Sequence, residues 1–216
     1  MKNTLYSLSG VAIIATSILV SARADTVTLY DNTSASIAGF DHIRPGVDNG
    51  PLFQSFLSGS VASTLNSVDL SLANTGSGTS DTISVALYSD APTSYGSWIA
   101  YIGTITDSSV TSAGGLYSVS LTANPTLAAN TRYWIGLNET STGSAVWNGA
   151  PDATGTGVAG QYYYNVGGYQ ANSASGNNPY IMKVTATTAV PEPTSTALVG
   201  LACLGVGVWL RQRRSN

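Results

Sequence analysis

The sequence predicts an all-β protein, a jelly-roll-like antiparallel β-sandwich flanked by an N-terminal signal peptide and a C-terminal apolar helix. Three observations carry this prediction. From Thr26 onward, short runs rich in Val, Ile, Thr and Tyr alternate apolar and polar residues with period two, the repeat of a strand with one buried face. Clusters of Gly, Asn, Ser and Pro separate the runs and read as turns. Between the two ends no stretch carries the longer repeat of a crossover helix, which excludes a parallel α/β fold.

Taken in order, Val27 and Leu29 alternate in the first run, and Leu52–Leu57 forms the second. Val68, Leu70 and Leu72 face one way, with Ser67, Asp69 and Ser71 facing the other. The pattern recurs at Ile83, Val85 and Leu87, across residues 98–105, and at Tyr117, Val119 and Leu121. It returns at Tyr133, Ile135 and Leu137, across residues 161–166, and at Tyr180, Met182 and Val184. About nine strands with turns between them favour a jelly-roll type of sandwich over a closed barrel. Asn74-Thr75-Gly76-Ser77-Gly78 supplies residues that tolerate positive φ, while Ala91-Pro92 and Asn124-Pro125 restrict both proline and its predecessor. Trp98 and Trp134 lie in strongly apolar runs and are expected in the core.

The two ends read as addresses. Lys2 begins a short cationic region, residues 5–20 form an apolar stretch diluted by Ser and Thr, and Ala22-Arg23-Ala24 has the small-x-small form of a cleavage site. Cleavage is expected after Ala24, making residues 1–24 a signal peptide for Sec export; an uncleaved signal anchor is the alternative. At the other end Pro191-Glu192-Pro193 precedes an apolar run and then Arg211, Arg213 and Arg214, charges that resist crossing a bilayer. Residues 194–210, at ~1.5 Å per residue, span only about 25 Å, short for a hydrocarbon core of about 30 Å. A short span favours a transient membrane segment over a lasting anchor. This tail resembles the PEP-CTERM sorting signal of Gram-negative bacteria. The resemblance covers residues 190–216 and implies that an exosortase in the inner membrane recognises Pro191, Glu192 and Pro193, cuts nearby, and releases the protein to the cell surface or extracellular matrix. An ordinary C-terminal transmembrane anchor is the other reading.

Between the ends, residues 25–189 make one domain with room for a core. It holds nine Asp and Glu139 against Arg44, Arg132 and Lys183, a formal charge of −7. Three scattered bases are a poor match for nucleic acid, which is bound by neutralising phosphates. The single cysteine, Cys203, lies in the tail, so the body forms no disulfide. Short segments of the body, Thr28-Leu29-Tyr30-Asp31-Asn32, Gln54-Ser55-Phe56, Val85-Ala86-Leu87-Tyr88-Ser89-Asp90 and residues 127–135, are similar to bacterial choice-of-anchor domains. That likeness implies an exported β-sandwich found ahead of interchangeable sorting tails, and it assigns no biochemical activity.

Candidate chemistry is sparse, and the body is expected to be non-catalytic and without a bound cofactor. His42, the only histidine, sits in Asp41-His42-Ile43-Arg44 and is expected in a loop. Without cysteine it cannot build a His/Cys metal site, and no Gly-x-Ser-x-Gly elbow accompanies it, so a hydrolase is the weakest reading. Glycoside hydrolysis needs two carboxylates facing each other across a cleft, a placement sequence does not supply. Calcium takes oxygen ligands of the kind offered by the turns at Asp31, Asp48 and Asp90, although Asp also satisfies backbone donors in ordinary turns. Trp147, Tyr162 and Tyr164 stand among Asn148, Gln161 and Asn165, aromatic faces with amide neighbours that suit sugar rings and hydroxyls. They make a carbohydrate-binding module for exopolysaccharide the alternative to a plain surface or matrix protein, while alternating Tyr that simply packs the sheets is the other reading.

Overall fold

The period-two runs become strands whose apolar residues converge on one interior. Val68, Leu70 and Leu72 have no exposed surface, and neither do Ile83, Val85 and Leu87, nor Ile135 and Leu137. The computed structural model describes residues 24–45, 50–76, 80–139, 142–165, 168–171 and 179–189. Among these the strands are β1 (Ala24–Asp31), β2 (Gly39–His42), β3 (Leu52–Leu57), β4 (Ser63–Asn74), β5 (Thr82–Ala91), β6 (Ser94–Thr106) and β7 (Gly115–Ser118). They continue as β8 (Ser120–Leu121), β9 (Thr126–Leu127), β10 (Arg132–Asn138), β11 (Ala145–Gly149), β12 (Tyr162–Asn165), β13 (Gly168–Ala171) and β14 (Met182–Ala189). The signal peptide before Ala24, the Pro191-Glu192-Pro193 motif, Arg211, Arg213, Arg214 and the expected C-terminal helix lie outside the described residues.

Two antiparallel sheets result. The first runs β1-β14-β4-β11-β2, with β7 and β9 on the edge of β4 opposite β14. The second runs β13-β12-β3-β10-β5-β6-β8. Both contribute to one hydrophobic cluster: Val68, Leu70, Leu72, Met182 and Val184 from the first sheet, and Leu52, Phe56, Leu87, Ile135 and Leu137 from the second. Each fully buried Leu, Ile or Val side chain stabilises the fold by about 1.5–3 kcal/mol relative to exposure.

The strands are more numerous than the alternation suggests, for identifiable reasons. Tyr117, Val119 and Leu121 read as one strand, yet the chain changes sheet there: β7 pairs with β4 and β8 with β6, with buried Val119 at the crossing. All five residues of β11 are buried, so it has no polar face and no alternation to read. In β1 a bulge between Thr28 and Tyr30 turns both Leu29 and Tyr30 inward. His42, expected in a loop, lies on β2 opposite Val146.

Candidate functional site

The face of the second sheet turned away from the shared core carries an unusual concentration of rings. Alternation puts Leu52, Ile135 and Leu87 inward, so Phe53, Trp134, Gly136, Tyr88, Tyr162 and Tyr164 share the outer face. Register then sets them in rows. One row reads Tyr164, Phe53, Gly136, Ala86 and Tyr101; the next reads Ser55, Trp134, Tyr88 and Trp98.

Small residues at the centre let large rings lie over the sheet. A Cβ at Gly136 would stand 2.5 Å from Phe53 Cε1 and 2.7 Å from Tyr88 Cε2, so any side chain there would displace both rings. Over that floor Phe53 stacks on Tyr95 with centroids 3.6 Å apart and planes 10° apart. Tyr88 meets Phe53 edge-on at 5.2 Å, and Tyr164 meets Tyr95 edge-on at 5.3 Å. The edge-on contacts suit the ring quadrupoles, whereas the Phe53–Tyr95 pair stacks nearly face to face. Phe53 is buried by its neighbours, Tyr88, Tyr95 and Tyr164 are half-buried, and Trp98 and Tyr101 are 60% and 39% exposed.

Polar groups border the rings at β10 and β12. The Arg132 guanidinium lies 4.6 Å from the centre of the Tyr162 ring, donates to the Gly160 carbonyl at 3.2 Å and to Gln161 Oε1 at 3.3 Å, and approaches Asp90 at 3.8 Å. Asp90 also accepts from Trp134 Nε1 at 2.8 Å. Burial, and then the charges that neighbouring phenols would carry, raise Tyr88 and Tyr95 above the usual phenol range. Their hydroxyls therefore stay protonated and can donate as well as accept. A ring platform with hydroxyl, guanidinium and amide groups beside it can hold a flat, hydroxylated molecule by its C–H face and its edge together.

The residues expected from sequence are redistributed. Tyr162 and Tyr164 do share the outer face, with Tyr163 turned toward the core. Trp147 does not join them: it has no exposed surface, lies on β11 in the first sheet, stacks on Tyr180 at 4.6 Å and donates from Nε1 to the Ile181 carbonyl at 3.0 Å. Tyr180 in turn donates to Asp41 at 2.6 Å. Trp147 is thus a core residue, and the sugar-facing role assigned to it is withdrawn. Trp98 reverses in the other direction, because the shifts in the β5–β6 pairing place it outward opposite Tyr88. Trp134 is buried as expected but on the outer face of the second sheet, outside the shared hydrophobic cluster.

Of the turns considered for calcium, Asp31 is engaged by Thr33 and by Lys183 at 3.3 Å, and Asp90 by Trp134 and Arg132; Asp48 lies outside the described residues. Burial would raise the Asp31 carboxyl, but the Thr33 hydroxyl and amide and the Lys183 ammonium outweigh it, and it stays below the ordinary value. Among the described residues no group of three or more His, Cys, Asp or Glu side chains stands ready to hold a metal ion. His42 Nδ1 is buried without a hydrogen-bond partner among the described residues, and its ring meets Phe40 edge-on at 5.9 Å. Ala24 is exposed at the start of β1.

Phe53, Tyr88, Tyr95, Tyr101 and Gly136 are not marked as site residues by the sequence because they are scattered over four strands, and only pairing brings them together. The alternation of Tyr88 with core Leu87 was the available signal. Comparison with known proteins adds no relative: no family model, curated protein or solved structure matches the chain.

Proposed function

We propose that the protein is an exported, non-catalytic surface or extracellular-matrix protein whose jelly-roll-like β-sandwich binds polysaccharide on the outer face of its second sheet. The observation that carries this reading is the continuous ring platform of Phe53, Tyr95, Tyr88 and Tyr164, extended by exposed Trp98 and Tyr101. Rings needed only for packing would be covered; a tryptophan 60% exposed beside this platform costs apolar surface with no gain to the fold. The acidic body repels polyanions, so a neutral glycan is the expected ligand.

Affinity electrophoresis in gels containing neutral or anionic exopolysaccharide tests it. Retardation by the neutral polymer should weaken by about 2–12-fold per ring removed in Trp98→Ala and Tyr164→Ala, from about 0.5–1.5 kcal/mol per aromatic contact. Equal retardation of wild type and both variants would remove the site.

Delivery rests on the ends. Sec export followed by exosortase processing at Pro191, Glu192 and Pro193 accounts for the order of the tail, with inner-membrane transit before release. Deleting residues 191–216 is expected to abolish arrival at the surface or matrix; fractionation that finds delivery unchanged would refute the sorting role.

A further inference from the structure

Acidic side chains collect at a second place, just beyond the ends of strands that carry the ring platform. Asp81 precedes β5, Asp107 opens a short 3-10 turn (Asp107–Ser109) after β6, and Glu139 follows β10. Three connections therefore converge. The Asp107 N–H donates to the Asp81 carbonyl at 2.9 Å, and the Asp107 carboxylate accepts from Asn74 Nδ2 at 3.0 Å. Asn74 is itself fixed, its Oδ1 accepting from the Gly76 N–H at 2.9 Å and the Ser144 hydroxyl at 2.8 Å. The Thr142 hydroxyl donates to Asp81.

Glu139 is the anomaly in this well-connected group. It is 97% buried, at 3% relative exposure, and neither carboxylate oxygen has a hydrogen-bond partner, although the Ala145 N–H lies nearby. Its carboxyl meets that of Asp107, which has no exposed surface, and feels the charge of Asp81. Two ionised carboxylates can only accept, so their contact leaves lone pairs unmatched and like charges together. The backbone closes over the carboxyl at Gly143, where a Cβ would stand 1.9 Å from Glu139 Cδ. On that side the Gly143 backbone leaves no room for a larger residue. Arg132 and Lys183, two of the three bases in the body, pair elsewhere with Asp90 and Asp31.

We propose that this corner is a calcium site, with Glu139 and Asp107 as its carboxylate ligands, Asp81 adding charge beside them and water completing the shell. The donors are all oxygen, with no thiol or imidazole among them, which suits a hard cation and disfavours zinc or copper. Calcium tolerates irregular geometry and takes six to eight oxygens, whereas magnesium demands a near-ideal octahedron and keeps its water. Two direct carboxylates place the affinity in the weak range of extracellular modules, with Kd on the order of 10⁻⁴–10⁻³ M.

Thermal unfolding of the purified full-length protein at pH 8, in ~10 mM CaCl₂, MgCl₂ or EDTA, tests the assignment. Calcium should raise Tm by about 3–10 °C over EDTA, and magnesium by much less. Glu139→Gln, which keeps the side-chain shape, and Asp107→Asn should each abolish most of the rise, while Asp31→Asn keeps it. No calcium-dependent rise in the wild-type protein overturns the site. So does a rise that persists in both Glu139→Gln and Asp107→Asn, or one that disappears only in Asp31→Asn.

Discussion

Trp147→Ala is expected to destabilise the protein by about 3–5 kcal/mol, a large part of the 5–15 kcal/mol that a domain of this size typically has. The side chain is fully buried on a strand between β4 and β2, and its removal takes away the stack on Tyr180 as well as volume. The hydrogen bond to the Ile181 carbonyl goes too, although that carbonyl keeps the Ser71 N–H at 3.0 Å. Trp147→Phe keeps a ring on Tyr180 and should cost less. Trp98→Ala, on the exposed face, should stay within about 0.5 kcal/mol of wild type. Urea unfolding followed by far-UV circular dichroism measures all three. A Trp147→Ala protein with an unchanged midpoint and no glycan binding would return Trp147 to the ligand face.

The second large effect is a loss of stability toward alkaline pH in metal-free buffer. Burial first, then the charge and contact of Asp107 and the charge of Asp81, push Glu139 up to about 8 from an ordinary 4.5, opposed only in part by the nearby Ala145 N–H. The folded protein therefore holds a proton that the unfolded chain releases. Its stabilising contribution is complete below about pH 4.5, declines as pH rises, and is gone once pH passes about 8. The slope over that window is at most about 1.4 kcal/mol per pH unit. Asp31 acts in the opposite sense at low pH, where protonating it loses the Thr33 and Lys183 contacts. Denaturant unfolding in EDTA from pH 5 to 9 should show the decline in wild type and a flattened profile in Glu139→Gln, with Glu139→Gln the more stable of the two above pH 8. Parallel profiles would place the alkaline loss in other groups.

Much of the fold was legible because strand sterics are local. Val68, Leu70 and Leu72, Ile83 and Val85, and Met182 with Val184 alternate with polar residues, and each set is buried as the pattern requires. Legibility failed where a strand has two buried faces, as in β11, or where a bulge or a change of sheet resets the alternation, as at Tyr30 and Val119. The candidate site was half legible. Tyr162 and Tyr164 share a face by their spacing two apart on a short strand, whereas Trp147, between Val146 and Asn148, shows nothing in sequence that separates a core tryptophan from an exposed one.

Glu139 went unnoticed for a related reason. A single glutamate after a strand is ordinary in sequence, and its isolation comes from Asp107, Asn74 and Gly143, which are far from it or backbone-only in their effect.

By itself the sequence determined an antiparallel all-β body and the inward face of most of its strands, since period-two alternation is imposed by neighbouring residues. Only the tertiary structure decided that Phe53, Tyr95, Tyr88 and Trp98 lie beside Tyr164, that Trp147 is enclosed, and that two carboxyls meet in the interior. Those outcomes depend on register, bulges and the meeting of distant loops, which are settled by contacts across the chain.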